Sequence, residues 1–237
     1  YVLPFERIGR GDVAQVGGKG ANLGEMTRAG LPVPKGFVVP AEAFLRALEA
    51  GGVRSSVRKL FVAANPDDPE ALATVASQMR AMVAGVHLPR DLDAELTSAF
   101  RALGANVRVA VRSSATSEDA GVTSFAGMHE SFTNVEGEEA LRAKVVACWA
   151  SAYAPRVIAY RRAQGMTEEP KLAVVVQQMV DSSRSGVCFT VDPSSGDRNS
   201  RVIAAAFGLG EVGVGGQVEP DTYTGARDTM HVVHARV

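Results

Sequence analysis

Cysteine is scarce in this chain, with two residues, Cys148 and Cys188, among 237. Each lies inside an apolar run and reads as a buried thiol. A disulfide between them stays open, but reduced thiols in a cytoplasmic protein are the better-supported expectation. Charge of either sign in excess is missing too. Twenty-five Lys and Arg stand against 26 Asp and Glu, a formal net charge of −1, so no nucleic-acid surface is expected and any anion site must be local. No apolar run approaches the roughly 18 residues that a spanning helix needs, and no signal-peptide pattern opens the chain, so no membrane partner is expected. The four histidines, His87, His129, His231 and His234, fall in neither a CxxC nor an HExxH arrangement, which argues against zinc. His231 and His234 share a C-terminal strand, but without carboxylate or cysteine partners they read as exposed strand residues.

What is present is an ordinary globular composition, 46% hydrophobic and 22% charged, in a chain long enough for one large domain or two lobes. Its most unusual stretch is 108–134, RVAVRSSATSEDAGVTSFAGMHESFTN. Val107–Val111 reads as a buried strand that runs into Arg112 and a loop dense in small and polar residues; Met128–Val135 reads as the returning strand. Such a loop lets backbone N–H groups and hydroxyls approach phosphate oxygens, with the cation at the strand end balancing their charge. An ordinary long hairpin loop is the alternative, since Ser, Thr, Asp and Gly are common turn residues.

Gly17-Gly18-Lys19-Gly20 precedes a helix of about Ala21 to Arg28, which Gly30 ends. A lysine among glycines at a helix N-terminus suits a phosphate, or is a solvated turn residue. It is not a P-loop, because Val13 and Gly20 stand where that motif needs Gly and Ser or Thr. Phe37–Val39 reads as a strand. Helices are expected over Ala41–Ala50, Pro69–Gly85, from Asp91 or Asp93 to Gly104, from Glu138 through Ala152, and from Pro155 to Gln164. Trp149 falls on the apolar face of the fourth of these and reads as core. Lys171–Val180 is nearly all apolar and reads as a central strand, with Gln177 and Gln178 as polar anomalies needing a backbone or purine-edge partner. Strands are expected at Gly186–Asp192, Arg201–Phe207 and Met230–Val237. Gly208-Leu209-Gly210-Glu211-Val212-Gly213 satisfies GxGxxG, but no helix is expected after it, so a dinucleotide fold is rejected.

Seven motifs occur in order: GGKGANLGEM (17–26), GLPVPKGFVV (30–39), VRSSATSED (111–119), SFAGMHESFTNV (124–135), QQMV (177–180), SGVCFTVDP (185–193) and GLGE (208–211). Together they resemble the ATP-binding domain of the phosphoenolpyruvate synthase and pyruvate phosphate dikinase family. The style of RSSATSED is closer to phosphoenolpyruvate synthase and rifampicin phosphotransferase. The resemblance implies an α/β ATP-grasp fold holding nucleotide between two lobes, with residues 1–180 forming the first part and 181–237 the start of the second lobe. It implies that Lys19 and Arg112 contact phosphates, that Gly127 and Ser131 belong to a phosphate-covering loop over 113–127, and that Gln178, Met179 and Val180 face adenine. Glu211 is placed near the nucleotide. The implied cofactors are ATP and Mg²⁺, and the implied partner is a phosphohistidine domain of the same full-length protein. In the family, ATP is split so that a histidine on a separate swivelling domain takes up the pyrophosphoryl group. AMP leaves, and the retained β-phosphoryl passes to the acceptor.

Two departures bear on activity. The family's metal ligands are expected beyond residue 237, so no residue of this chain is assigned to metal, and the histidine-domain motif is absent. Because phosphoryl transfer depends on Mg²⁺ to neutralise developing charge, the chain by itself is expected to be nearly inactive. The alternatives are the ATP domain of a rifampicin phosphotransferase and a catalytically silent nucleotide-binding or docking module.

Overall fold

The computed structural model describes residues 1–116, 130–210, 218–229 and 231–236. The chain divides into two units, Tyr1–Met179 and Val180–Val237.

The first unit is built on the apolar run Leu172–Gln178 (β5), buried along its first five residues. A strand without a polar face is stable only with both sheet faces covered, and β5 takes the middle position. It pairs antiparallel with Gly36–Val39 (β2) on one side and Arg108–Ala115 (β3) on the other. Leu3–Pro4 (β1) extends the sheet beside β2 and Ser131–Glu136 (β4) beside β3, giving the order β1-β2-β5-β3-β4. The helices are Val13–Arg28 (α1), Ala41–Ala50 (α2), Arg54–Ala63 (α3), Pro69–Ala84 (α4), Arg90–Leu103 (α5), Glu138–Ser151 (α6) and Pro155–Ala163 (α7).

Alternation along the strands sorts the two faces. Val109, Val111, Leu172, Val174 and Val176 join the larger core with Phe44 of α2 and Leu141, Val145 and Trp149 of α6. Val38, Ala173 and Val175 point the other way, into a smaller core with Val16 and Ala21 of α1. Trp149 is fully buried and stacks on Phe44 with ring centroids 5.4 Å apart. Tyr153 meets Phe44 and Phe61 edge-on at 6.3 and 6.2 Å. Asp68 caps α4 by accepting the Ala71 N–H at 3.0 Å, which satisfies one of the first-turn donors.

The sequence reading and the structure differ at several elements. β3 continues to Ala115 instead of ending at Val111, so Arg112 lies inside the strand. The ladder to β5 runs on through Ser113, Ser114 and Ala115, because both hydroxyls find partners that make their burial tolerable. α1 starts at Val13 instead of Ala21 and is broken at Gly17, whose φ of 70° is non-helical; Gly18, Lys19 and Gly20 therefore form the first turn of its second segment. α3 has only Val57 and Phe61 buried, too thin an apolar stripe to be read from periodicity.

The second unit is an antiparallel meander of Arg184–Phe189 (β6), Ser200–Phe207 (β7), Asp221–Ala226 (β8) and Val232–Arg236 (β9). β8 stands where the sequence suggests a chain running through Tyr223 to a turn at Gly225–Asp228; its β-favouring Thr222, Tyr223 and Thr224 pair on both sides. β6 and β9 are largely exposed, and Phe207 and Val233 stand 73% and 74% open. Cys188 accordingly lies exposed, which corrects the expectation of two buried thiols. Cys148 is buried, and burial, helped by nearby Glu130, pushes its thiol up to about 12. Since the thiolate is the nucleophile, iodoacetamide at pH 8 is expected to label Cys188 and spare Cys148 in the folded chain, read by peptide mass spectrometry. Equal labelling would contradict the packing of α6 on β3.

All described strand pairs are antiparallel, which separates this fold from parallel, doubly wound dinucleotide domains. Residues 211–217, on which the GxGxxG reading turned, lie outside the described residues. Among the described residues no helix is long and apolar enough to cross a membrane.

Candidate nucleotide site

The turn that carries Lys19 and the strand that carries Arg112 meet at Ser114. Ser114 is fully buried, and its Oγ accepts the Gly20 N–H at 3.2 Å. Gly17 packs so closely that a Cβ there would lie 2.3 Å from Ser114 Oγ and 2.5 Å from its carbonyl oxygen. With its positive φ, this position admits glycine and little else. Gly17 thus lets the backbone of α1 come down onto β3.

Arg112 is two residues from Ser114 on the same strand and therefore on the same face, about 7 Å away along the chain direction. Its cross-strand partners are Val175 and Ser131, and Val175 belongs to the core beneath α1. Arg112, Ser131, Ser114 and the Lys19 turn thus share one side of the sheet. Ser131 is exposed and Arg112 half-buried. Among the described residues the guanidinium has no ion-pair or hydrogen-bond partner, so its five donors are free to meet an anion bidentately.

Ser113 points to the opposite face and fixes the start of β4. Its N–H and Oγ both donate to the Glu130 carbonyl, at 3.3 and 3.1 Å. The Cys148 thiol approaches the same oxygen at 3.8 Å, and the Glu130 carboxylate pairs with Arg80 of α4 at 3.5 Å.

At the far end of β5 the predicted adenine-facing residues part company. Gln177 is paired with Gly36 and Ala110, on the side of Arg112, and its Nε2 donates to the Pro34 carbonyl at 3.2 Å. Gln178 is paired with Val109 and faces the helical side. The Gln178 and Met179 N–H groups are held by the Lys35 and Arg108 carbonyls, at 2.8 and 2.9 Å. Met179 ends the first unit, and Val180, 57% exposed, begins the second. Gly127 and Glu211 lie outside the described residues. Among the described residues no group of three or more His, Cys, Asp or Glu could hold a metal ion.

Sequence reasoning named Gly17 and Ser114 only as members of their motifs and gave neither a role of its own. The signal for Gly17 was a second glycine ahead of Lys19; Ser114 gave none, because a serine in a polar run looks like loop until its strand partner is known.

A family model for the pyruvate phosphate dikinase AMP/ATP-binding domain matches residues 13–237. The chain is similar to a probable phosphoenolpyruvate synthase of Staphylothermus marinus, 38% identical over 245 residues, covering 100% of the chain and 29% of that protein. It is similar to a rifampicin phosphotransferase of Streptomyces sviceus, 40% identical over 225 residues, with 94% and 26% covered. A probable phosphoenolpyruvate synthase of Archaeoglobus fulgidus is 44% identical over 227 residues, with 94% and 30% covered. The chain spans less than a third of the length of each. With nearly every residue inside the matched region, this chain belongs to the pyruvate phosphate dikinase AMP/ATP-binding domain family.

Proposed function

We propose that this chain is the ATP-binding part of a cytoplasmic phosphotransferase of the phosphoenolpyruvate synthase type. The observation that carries this reading is the junction at Ser114, which sets the Lys19 turn and Arg112 on one side of one sheet. In this reading the Lys19 ammonium and the Arg112 guanidinium hold oxygens of the triphosphate, one as a point charge and the other as a planar fork. The Gly18 and Lys19 N–H groups at the start of the second α1 segment add fixed donors, the Gly20 N–H being held by Ser114. Gly127 belongs to the segment that covers the phosphates and Ser131 stands beside Arg112 at the start of β4, while Met179 and Val180 lie against the base and Glu211 lies near the nucleotide.

Phosphoryl transfer in this class uses Mg²⁺ to neutralise charge on the transferred group. Among the described residues no group of three or more His, Cys, Asp or Glu could hold the ion, and its ligands are assigned to no residue of this chain. The phosphoryl group would pass to a histidine on another domain of the full-length protein and then to the acceptor.

Titration calorimetry of ATP into the protein tests the reading. Saturable one-to-one binding is expected, with Lys19→Ala weakening it about tenfold, the scale of one lost hydrogen bond to a charged group. Absence of binding, or full affinity in the Lys19 variant, would remove the assignment. A second acceptor is supported by the similarity to a rifampicin phosphotransferase. Assaying the full-length protein with pyruvate and with rifampicin in parallel separates the two.

A further inference from the structure

We infer that Ser114 is a positioning residue of this site, acting through Lys19 as a helix cap supplied from another element. The inference rests on the nucleotide-binding reading above. The second segment of α1 opens after Gly17, and the residue at a helix N-cap ordinarily uses its side-chain oxygen to accept the N–H of the second or third residue that follows. Gly17 has no side chain. The N–H of Gly20, third in the segment, is accepted instead by Ser114 Oγ, a residue 94 positions away in sequence. The cap therefore does two things at once: it satisfies an otherwise unpaired donor, and it fixes where the turn bearing Lys19 sits along β3.

Arg112 lies on the same strand and face, so the register of the Lys19 turn against Arg112 is set by this one hydroxyl and by the close approach of Gly17 beneath it. Ser113 has the complementary task on the opposite face, through the Glu130 carbonyl. Removing the Ser114 oxygen leaves Gly20 N–H unpaired in a buried place. The turn then has a reason to shift toward water, and Lys19 shifts with it.

A double-mutant cycle distinguishes positioning from packing. Ser114→Ala is expected to weaken ATP binding about fivefold, equivalent to one lost cap. In a Lys19→Ala background the same change is expected to cost less than about twofold, since the group it positions is gone. Adenosine, without phosphates, is expected to bind both serine and alanine forms equally. Equal losses in the two backgrounds, or unchanged ATP affinity in folded Ser114→Ala, would overturn the positioning role while leaving the nucleotide reading intact. No ATP binding by the unmodified protein would overturn both. Should Ser114→Ala fail to fold, Ser114→Cys replaces the strong acceptor with a weak one. Wild-type affinity in that variant would likewise overturn the inference.

Discussion

Replacing Arg112 by alanine is expected to weaken ATP binding by roughly tenfold to a hundredfold, with little change in folding stability. The size follows from two charge-assisted hydrogen bonds to phosphate, each worth about 1.5–3 kcal/mol, discounted because they are not additive. Stability is expected to hold because Arg112 is half-buried and gives no ion pair to the described residues. Arg112→Lys is expected to recover only part of the affinity: an ammonium restores the charge but not the fork. Calorimetric titration with ATP, ADP and adenosine reads the effect. The loss should be confined to the phosphorylated ligands, and an equal loss for adenosine would show that the strand, not the charge, had been disturbed.

Trp149→Ala is expected to cost roughly 3–5 kcal/mol, as large aromatic truncations in cores do. Trp149 is fully buried and stacked on Phe44, and Phe44 in turn meets Tyr153, so a cavity at this point touches α2, α6 and the turn that follows α6 at once. Domains of this kind hold only about 5–15 kcal/mol in total. The variant should therefore unfold at a much lower urea concentration. All seven described α-helices lie in the first unit, so helical circular dichroism follows the right part of the chain. Trp149→Phe, which keeps an aromatic ring against Phe44, is expected to cost distinctly less. A loss below about 1 kcal/mol for the alanine variant would mean that the core closes over the gap.

The sequence was most readable where one period ruled an element. Leu92, Leu96 and Phe100 on α5, and Leu141, Val145 and Trp149 on α6, are buried as their helical spacing requires. The apolar run of β5 likewise declared a central strand. Legibility failed where partners remote in sequence decided the outcome. Ser113 and Ser114 look like loop, and only Glu130 and Gly20 make them strand. Asp221–Ala226 looks like a connection until β7 and β9 flank it. Cys188 sits in an apolar run, yet the sheet that carries it exposes that strand. The motifs named the family, but only the coordinates bring the Lys19 turn and the Arg112 strand onto one side of a sheet. Whether those two cations share a phosphate chain is what the titrations decide.

Trp149 is the only indole in the chain and belongs wholly to the first unit. Tryptophan emission is thus a private spectroscopic channel for residues 1–179, blind to melting confined to the four-stranded meander. Where emission and sheet-sensitive infrared bands report different midpoints on heating, the gap measures how independently the two halves unfold, and a single melting temperature would misdescribe both.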